Sequence, residues 1–523
     1  MITLIHHNGT AVKRVLDASG QAISIKKAVP VAALFELAEK YPDKLLVWCE
    51  EQWEESINDL PWHDLIKNDR HLISYACSGK LFIPAAIGLV ENSVFLKLKN
   101  DVRYPTWVMS SDRGAVYAKT LLQFKDLKTS WRNLNFFLSS LAKTGMSHGL
   151  LCYSEPRLHV HQTKLPKFEY NPDLTVLYRF VKTNYKTRWL FLLFFQHWIY
   201  EDKIAILPLL KELFWSDNPN GSNSNLNFEF KSVTDKNNNI EVIIPTIGRE
   251  KYLYQVLKDF KEQAKLPDRV IIVEQNPDEG SISTLDFLKK ETWPFAISHT
   301  FTHKAGACNA RNLALDLIEA EWVFFADDDI RIAPNFLEKT NEFINTGIAE
   351  AFTVSCLQKG EKETITNLVQ WTTFGTSCSF VKAEHLKNLR FDKAFEGGFG
   401  EDVDYGLQLR NKGVDVLYTP FLQLKHLKAP VGGFRKKYEF PWENEKIKPK
   451  PSPTIMAFHL KHGAPFQLFG YKTILFLKFY RQQEIKNPFK YLREMQKRWE
   501  VSKKWGLRLL GAEVTSTTGA ATS

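Results

Sequence analysis

Short apolar runs alternate with helical periodicity between residues 241 and 325. Three runs read as buried strands: Glu241-Val-Ile-Ile-Pro245, Arg269-Val-Ile-Ile-Val273 and Trp322-Val-Phe-Phe325. Helical patterns occupy 249–265 and 310–318, and 295–301 is a further candidate strand. Because parallel strands need crossover connections, this alternation predicts an α/β domain with a mostly parallel sheet and flanking helices.

Polar residues directly follow three of the predicted strands. They are Thr246, Glu274 and the triplet Asp327, Asp328 and Asp329. In parallel sheets, ligands bind at the carboxyl ends of the strands, so these groups are expected at one edge. Three adjacent carboxylates are unfavourable without a cation, and oxygen ligands suit Mg²⁺ or Mn²⁺, which hold phosphates. The alternative is a solvated acidic loop.

A second acidic motif follows a glycine cluster, in Gly397-Gly-Phe-Gly-Glu401-Asp402. Glu401 and Asp402 fall in the first turn of a predicted helix, where the helix dipole favours carboxylates. In a purely structural interpretation these two carboxylates cap the helix, and in a functional interpretation one of them is a catalytic base. Farther along, a strand is predicted over 414–418, and His426 follows it. A lone histidine is more often structural than a ligand.

Taken in order, these motifs resemble those of family 2 glycosyltransferases, which have the nucleotide-sugar-binding GT-A fold. The resemblance covers residues of about 240 to 435. It is carried by Ile244–Arg249, Val273–Asn276, His303–Asn312, the DxD-like Ala326–Asp329, Gly400–Asp402 and His426. Two departures stand out. Glu274 replaces the commoner aspartate, and 431–435 lacks the Gln-x-x-Arg-Trp element of processive synthases, which favours a single-addition enzyme.

The resemblance implies a role for each matching residue. Asp329 and His426 are expected to bind Mn²⁺ or Mg²⁺, with Asp327 holding the metal or the ribose. The nucleotide-binding set comprises Thr246, Arg249, Glu274, Asn276, Arg311, Asp327 and Asp328, although Asp328 is expected to point away from the metal or support the loop. Asp402 is the expected catalytic base, with Glu401 as the runner-up. Their adjacency, together with Asp404, is expected to raise the pKa of a carboxylate.

A chain of 523 residues is too long for one ordinary core, so two or three domains are expected. We predict an N-terminal accessory α/β domain (1–215), an Asn/Ser/Gly-rich linker (216–239), a GT-A catalytic domain (240–440) and a basic, aromatic-rich helical C-terminal region (441–523). Residues 135–155 have the helix–strand outline of 402–418. The N-terminal domain is therefore interpreted either as a degenerate GT-A-like copy or as an unrelated accessory domain.

The formal net charge of +10 is concentrated near the C-terminus. Residues 472–508 contain eleven Lys or Arg and three Glu, a net +8 (11 − 3). Aromatic residues from Tyr471 to Trp505 are interleaved with them, so 471–508 is a candidate for contact with an anionic membrane surface. The alternative is a solvated helix whose aromatic side packs on the protein body. No nucleic-acid module accompanies the basic residues, and nucleic acid is not expected as a partner.

The localisation signals are few. The N-terminus lacks the pattern of a secretion signal, and the six scattered cysteines suit reduced thiols. The longest apolar run, Trp189–Tyr200, is shorter than the ~18–20 residues of a membrane-spanning helix and is interpreted as a buried helix. A cytoplasmic location is expected, with peripheral attachment to the inner membrane face as the further option.

Together these features predict a metal-dependent, inverting glycosyltransferase. The donor would be a nucleotide-sugar, with a UDP-sugar favoured, and the acceptor a hydroxyl of a glycan or lipid-linked glycan precursor in polysaccharide biosynthesis. A sugar nucleotidyltransferase is the first alternative, but Pro245–Arg249 is a poor version of its phosphate loop. A non-catalytic nucleotide- or glycan-binding scaffold with a degenerate site is the second.

Overall fold

The computed structural model describes residues 1–125, 133–160, 164–214, 233–430 and 438–511. Two large β-sheets organise these residues, one in each half of the chain. Helices flank both sheets, and three more helices follow the second sheet.

The N-terminal sheet has seven strands in the order β2-β1-β3-β7-β4-β8-β6. Its strands are mostly apolar and buried on both faces, as expected for a sheet covered by helices. The elements of this half are β1 (Ile2–His7), β2 (Ala11–Asp17), α1 (Pro30–Lys40), β3 (Leu45–Glu50), α2 (Trp62–Leu65), β4 (His71–Tyr75), β5 (Lys80–Leu81), β6 (Tyr104–Pro105), β7 (Arg113–Tyr117), α3 (Ala118–Leu122), α4 (Leu134–Met146), β8 (Leu151–Ser154), β9 (Glu169–Tyr170), α5 (Leu174–Asn184), α6 (Arg188–Glu201) and α7 (Ile206–Leu213).

Helix α6 contains the apolar run 189–200, and the prediction that it is a buried helix is wrong. Phe195 and Trp198 are half-exposed, whereas Gln196 and His197 are fully buried. The polar side chains can lie inside because each finds a carbonyl partner there. No helix among the described residues is both long enough and apolar enough to cross a membrane.

The second sheet continues the order β12-β11-β10-β13-β17-β15-β18-β14, with β16 also paired to β18. Strands β12, β11, β10 and β13 are parallel, and β17 runs antiparallel to β13 and β15. This arrangement confirms the predicted α/β GT-A fold class. The elements are β10 (Ile240–Thr246), α8 (Glu250–Lys261), β11 (Arg269–Gln275), α9 (Phe287–Lys290), β12 (Ala296–Thr302), α10 (Ala307–Leu315), β13 (Trp322–Ala326), β14 (Ile330–Arg331), α11 (Phe336–Asn345), β15 (Ala351–Leu357), β16 (Val369–Gln370), β17 (Cys378–Lys382), α12 (Glu401–Arg410) and β18 (Leu417–His426).

Part of the strand order is the same in both sheets. The N-terminal order β1-β3-β7-β4-β8 matches β10-β13-β17-β15-β18, with the same sequence along the chain and the same strand directions. A short antiparallel strand also pairs with the last strand of each series, β6 with β8 and β16 with β18. Helix α4 precedes β8 as α12 precedes β18. This shared topology favours the GT-A-like copy over an unrelated accessory domain.

The two sheets pack together rather than standing apart. One cluster of buried apolar residues includes Ile5 and Val47 from the first sheet and Val242 and Phe324 from the second. At the interface, the Gln370 side chain accepts from the Cys152 N–H and donates to its carbonyl, at 2.8 and 3.2 Å. The domain boundaries therefore remain a prediction, since the core crosses them.

The predicted linker, 216–239, is described only from residue 233 onward, because 216–232 lie outside the described residues. The described part is attached to helix α11. The Val233 N–H donates to the Asn345 carbonyl at 2.9 Å, and the Asn238 side chain bonds Asn341 and Asn345.

The C-terminal region folds as α13 (Pro453–His462), α14 (Gln467–Tyr480) and α15 (Pro488–Leu509). The buried residues of α15 include Tyr491 and Trp499, so this helix turns much of its aromatic side towards the body. That packing corresponds to the alternative interpretation of the basic, aromatic segment 471–508. Residues 512–523 lie outside the described part of the chain.

Candidate active site

A cavity of about 360 Å³ opens at the carboxyl ends of β10, β11 and β13. Parallel strands bring these ends to one edge of the sheet, as the sequence predicts. The lining residues include Thr246, Arg249, Gln275, Arg311, Asp327, Asp328, Glu396, Gly397, Tyr438 and Glu439.

Asp328 turns inward and anchors the loop that follows β10. Its carboxylate accepts from the Thr246 hydroxyl at 2.6 Å and from Arg249 Nη1 at 2.8 Å. Burial raises the pKa of Asp328 to about 6, although these two donors act in the opposite direction. Thr246 and Arg249, both placed in the nucleotide-binding set, thus use their side chains to hold the middle aspartate.

Asp327, Asp329 and His426 converge, with one potential ligand atom from each lying within 4.8 Å of the others. His426 Nε2 lies 3.2 Å from Asp329 Oδ1, and the other Asp329 oxygen accepts from the Ala429 N–H at 2.7 Å. The interaction with Asp329 is the main cause that raises the pKa of His426 to about 10.

The chemistry of this cluster fits a divalent cation. Asp329 Oδ1 is buried and faces the imidazole of His426, so both groups turn a potential ligand atom towards the same point. Carboxylate and imidazole ligands suit Mn²⁺, and Mg²⁺ takes carboxylate oxygens together with substrate phosphates.

Arg311, on helix α10, is a buried cation at the wall of the cavity. Its Nη2 donates to Asp327 at 3.3 Å, whereas Nε and Nη1 are buried without hydrogen-bond partners. Burial lowers the pKa of Arg311, but the charges of Asp327, Asp402 and Glu401 outweigh it and leave the pKa raised. The guanidinium therefore lies between the two acidic motifs with unused donors.

Glu401 and Asp402 occupy the first turn of α12. Burial, followed by the Asp402 charge, raises the pKa of Glu401 to about 7. Burial also raises the pKa of Asp402, against the hydrogen bond that the Thr376 hydroxyl donates to it at 2.7 Å. The pKa of Glu401 is therefore suited to proton exchange near neutral pH, and the pKa of Asp402 is shifted in the same direction.

Asp404 does not join this pair. It is fully buried and lies 2.7 Å from both Lys461 Nζ and His462 Nε2 of helix α13. The predicted effect of adjacency holds for Glu401, whose pKa the Asp402 charge raises, whereas Asp404 is not a main cause of either shift because its carboxylate faces these cations. The C-terminal region is attached to the acidic helix through this contact.

Glu274 and Asn276 alternate along the chain with Gln275 and Pro277, and it is Gln275 and Pro277 that line the cavity. Glu274 accepts from the Thr284 N–H at 3.2 Å and lies 2.9 Å from His299 Nε2. The Asn276 side-chain oxygen accepts from the Asp278 N–H at 3.2 Å. Both side chains therefore have protein partners in this state.

Sequence reasoning missed Glu396, Gln275 and Tyr438. Glu396 accepts from the Cys308 and Asn309 N–H groups at 3.1 and 3.0 Å and so caps helix α10. Gln275 accepts from the Gly306 N–H at 2.7 Å. The position of Glu396, directly before the glycine cluster, could have drawn attention to it. No sequence pattern pointed to Tyr438. The loop 431–437, with its glycine pair, lies outside the described residues.

Two solved structures resemble the chain at low TM-scores. S. aureus TarS residues 1–349, solved with UDP-GlcNAc, shares 14% identity at a TM-score of 0.36, covering 53% of this chain and 93% of that one. The mannosyltransferase PcManGT from Pyrobaculum calidifontis, solved with GDP-Man and Mn²⁺, shares 17% identity at 0.28, covering 54% and 76%.

Among curated proteins, the chain is similar to the GalNAc(5)-diNAcBac-PP-undecaprenol beta-1,3-glucosyltransferase of Campylobacter jejuni. They are 25% identical over 120 residues, which is 23% of this chain and 39% of that relative. The model of Glycosyl transferase family 2 matches residues 241–398, the region that holds the cavity and the Asp triplet. Residues 241–398 therefore form a domain that matches glycosyltransferase family 2.

Proposed function

We propose that this protein is a metal-dependent, inverting glycosyltransferase that transfers one sugar from a nucleotide donor to an acceptor hydroxyl. The observation that carries the proposal is Arg311, a buried cation with two unpartnered nitrogens on the cavity wall. An anionic diphosphate would satisfy these donors, and charge-assisted hydrogen bonds of this kind are strong. The family match over 241–398 supports the same reaction class.

The residues that would hold the metal are Asp329 and His426, with Asp327 at the third position. A bound Mn²⁺ or Mg²⁺ would supply Lewis-acid neutralisation of the departing diphosphate. Asp328 keeps Thr246 and Arg249 in place beside the donor, and Arg311 orients the diphosphate next to Asp327. Glu274 and Asn276 would meet the nucleoside at the carboxyl end of β11.

Asp402 is the proposed catalytic base. A base must be ionised before it takes the proton of the acceptor hydroxyl, and the Thr376 hydroxyl stabilises the ionised form of Asp402. Glu401, whose pKa is raised to about 7, is the alternative base. Direct attack opposite the leaving diphosphate would invert the anomeric carbon.

The donor and acceptor are proposed at the level of chemical class. A UDP-sugar is favoured as donor, as in the TarS complex, while the PcManGT complex keeps a GDP-sugar open. The curated relative's name specifies a polyprenyl-diphosphate-linked glycan. A hydroxyl of a glycan or lipid-linked glycan in polysaccharide biosynthesis is the corresponding acceptor here, used at the cytoplasmic side.

The test is thermal unfolding of the purified protein with UDP, GDP, dTDP or CMP, each with and without Mn²⁺. We expect one nucleotide to raise Tm only with Mn²⁺, because a ligand at 100 times its Kd stabilises by about 2.7 kcal/mol. The rise should be absent in Asp329→Ala and retained in Asp286→Ala, which changes an exposed aspartate directly before α9. No rise with any nucleotide would favour the binding scaffold.

Product analysis distinguishes a glycosyltransferase from the remaining alternative, a sugar nucleotidyltransferase. Incubation with the identified nucleotide-sugar should release the nucleoside diphosphate, and NMR should show inversion at the anomeric carbon of the product. Release of pyrophosphate from a nucleoside triphosphate and a sugar phosphate would instead identify a nucleotidyltransferase.

A further inference from the structure

Helix α6 turns an apolar face outward. Phe191, Phe195, Trp198 and Ile199 recur at helical spacing on one side of the helix, and each is between 45% and 60% exposed. Single exposed apolar residues are ordinary, but a stripe of four large ones along one helix is not. We call these four residues the outer stripe.

The rotation of α6 is fixed from its inner side. Gln196 Nε2 donates to the Leu89 carbonyl at 3.0 Å, and Leu190, Leu193 and His197 are buried on the same side. Turning the outer stripe inward would expose apolar core residues and break the Gln196 bond. The outward stripe is therefore a stable property of the fold.

The apolar surface extends beyond α6. In the connector and in α7, Ile204 and Leu207 are 66% and 81% exposed. On the other side, Tyr200 of α6 stacks on Phe469 of α14 with ring centroids 4.7 Å apart and bonds the Thr473 hydroxyl. Phe469 and Leu477 lie on the same stripe of α14 as Thr473, and both are exposed.

We propose that the outer stripe, Ile204, Leu207 and the exposed stripe of α14 form a membrane-docking surface that inserts into the interfacial layer of an anionic bilayer. Exposed cations accompany it on the same helices: Lys186 and Arg188 at the start of α6, Lys211 on α7 and Lys478 on α14. Apolar and aromatic side chains beside Lys and Arg are the composition of helices that lie in a membrane interface.

Two further observations decide whether this surface binds a membrane or a second copy of the chain. Helix α6 has 14 residues, which is too short to span a bilayer, so the surface lies on the membrane rather than crossing it. A second copy of the chain would bring the same cations against each other, and like charges oppose association. An anionic lipid surface complements both the apolar and the charged parts. This proposal differs from membrane contact through 471–508 because the inserting residues lie mainly on α6 and α7.

The experiment is co-sedimentation of the full chain with vesicles of phosphatidylcholine alone or with 30% phosphatidylglycerol, roughly the anionic content at which basic segments bind. We expect binding to the anionic vesicles that weakens with added salt. Leu207→Glu should lower the partition coefficient about tenfold, because an apolar group is replaced by an anion. Ile282→Glu is the matched control, since Ile282 is equally exposed, at 80%, but lies on the catalytic domain.

Both residues are exposed, so neither change should disturb folding. Equal loss of binding in the two variants, or no binding by the unaltered chain, would overturn the proposal. Sedimentation velocity without lipid tests whether the surface instead binds a second copy of the chain. A dimer that Leu207→Glu converts to a monomer would identify the surface as a protein interface instead. Neither measurement depends on transferase activity, so its result is independent of the proposed function.

Discussion

The two halves of the chain contain the same series of strands but differ in the residues that surround it. In both, a first strand pairs in parallel with a second, and acidic residues stand at the end of that second strand. In the catalytic half, the strand is β13 and the acids are Asp327–Asp329. In the N-terminal half, the strand is β3, which ends at Glu50 and is followed by Glu51.

The surroundings of these acids differ. In the N-terminal half, Glu50 accepts from the Asn8 N–H at 2.9 Å and lies 2.9 Å from His6, and Glu51 lies 2.5 Å from His7. In the catalytic half, Asp329 faces His426 at 3.2 Å, and two buried nitrogens of Arg311 have no hydrogen-bond partner. A ligand can be recognised by groups that the protein itself leaves unpaired.

The sheet edges differ as well. Beyond β10, the catalytic sheet continues through the parallel strands β11 and β12, whose ends help to enclose the cavity. Beyond β1, the described part of the N-terminal sheet has β2, which runs antiparallel. The strand series is therefore a shared scaffold, and the cavity lies at the edge where the catalytic sheet adds parallel strands.

The largest expected effect concerns the base. Asp402 is the second residue of α12, and the second residue of α4 is Asn135, whose side-chain oxygen accepts from the Ser111 N–H at 2.7 Å. Asp402→Asn should lower kcat by about 10²- to 10⁴-fold, because general-base catalysis contributes that much. Steady-state kinetics on both variants checks this, with Asn135→Asp remaining active. If Asp402→Asn remains active and Glu401→Gln is inactive, Glu401 is the catalytic base instead.

The next effect concerns the two clusters that could hold a cation, Asp327/Asp329/His426 and His7/Glu50/Glu51. Asp329→Ala should weaken Mn²⁺ binding at least about a hundredfold, since even residues that only support metal ligands cost 10- to 100-fold. Glu51→Ala should leave Mn²⁺ binding unchanged. Titration followed by Mn²⁺ electron paramagnetic resonance measures both. If Glu51→Ala binds one Mn²⁺ ion fewer than the unaltered chain, the N-terminal half has a metal site too. The contrast between the two clusters would then be wrong.

A smaller effect is expected in the pH profile. The base acts when ionised, so kcat/KM should fall as the pH drops through the pKa of the Glu401–Asp402 pair, near 7 for Glu401. Glu401→Gln removes a neighbouring negative charge, so the pKa of Asp402 should fall and the acidic limb should move to lower pH. Asn135→Asp provides the control, with an unchanged profile. An upward shift in Glu401→Gln would contradict the assignment.

The smallest effect tests whether the two halves unfold as one unit. Because Gln370 bonds both backbone groups of Cys152, Gln370→Ala leaves buried polar groups unpaired and should lower the free energy of unfolding by about 1–3 kcal/mol. Gln482→Ala, at an exposed position, should change it by less than about 0.5 kcal/mol. Calorimetry should show a single shared transition, and two separate transitions would show that the sheets are independent.

Sequence patterns predicted the catalytic half well because the signals there are local. The strands at 241–245, 269–273 and 322–325 each lie within an observed strand, and the acidic motifs stand where a strand or helix begins or ends. The prediction for helix α6 failed, and Asp404 is not a main cause of the predicted pKa shift, because both depend on distant partners. Lys461 and His462 turn Asp404 away from the base, and Leu89 receives Gln196.

The sequence by itself determined the α/β class, the family resemblance and the positions of the acidic motifs, since apolar periodicity and short motifs are properties of neighbouring residues. Only the tertiary structure decided which of the three aspartates faces the loop and which faces His426, and that Arg311 keeps unpaired donors beside the cavity. It also decided that the N-terminal half repeats the strand order of the catalytic half. These features arise from contacts between residues far apart in the chain, and burial and hydrogen bonding there depend on the packed fold.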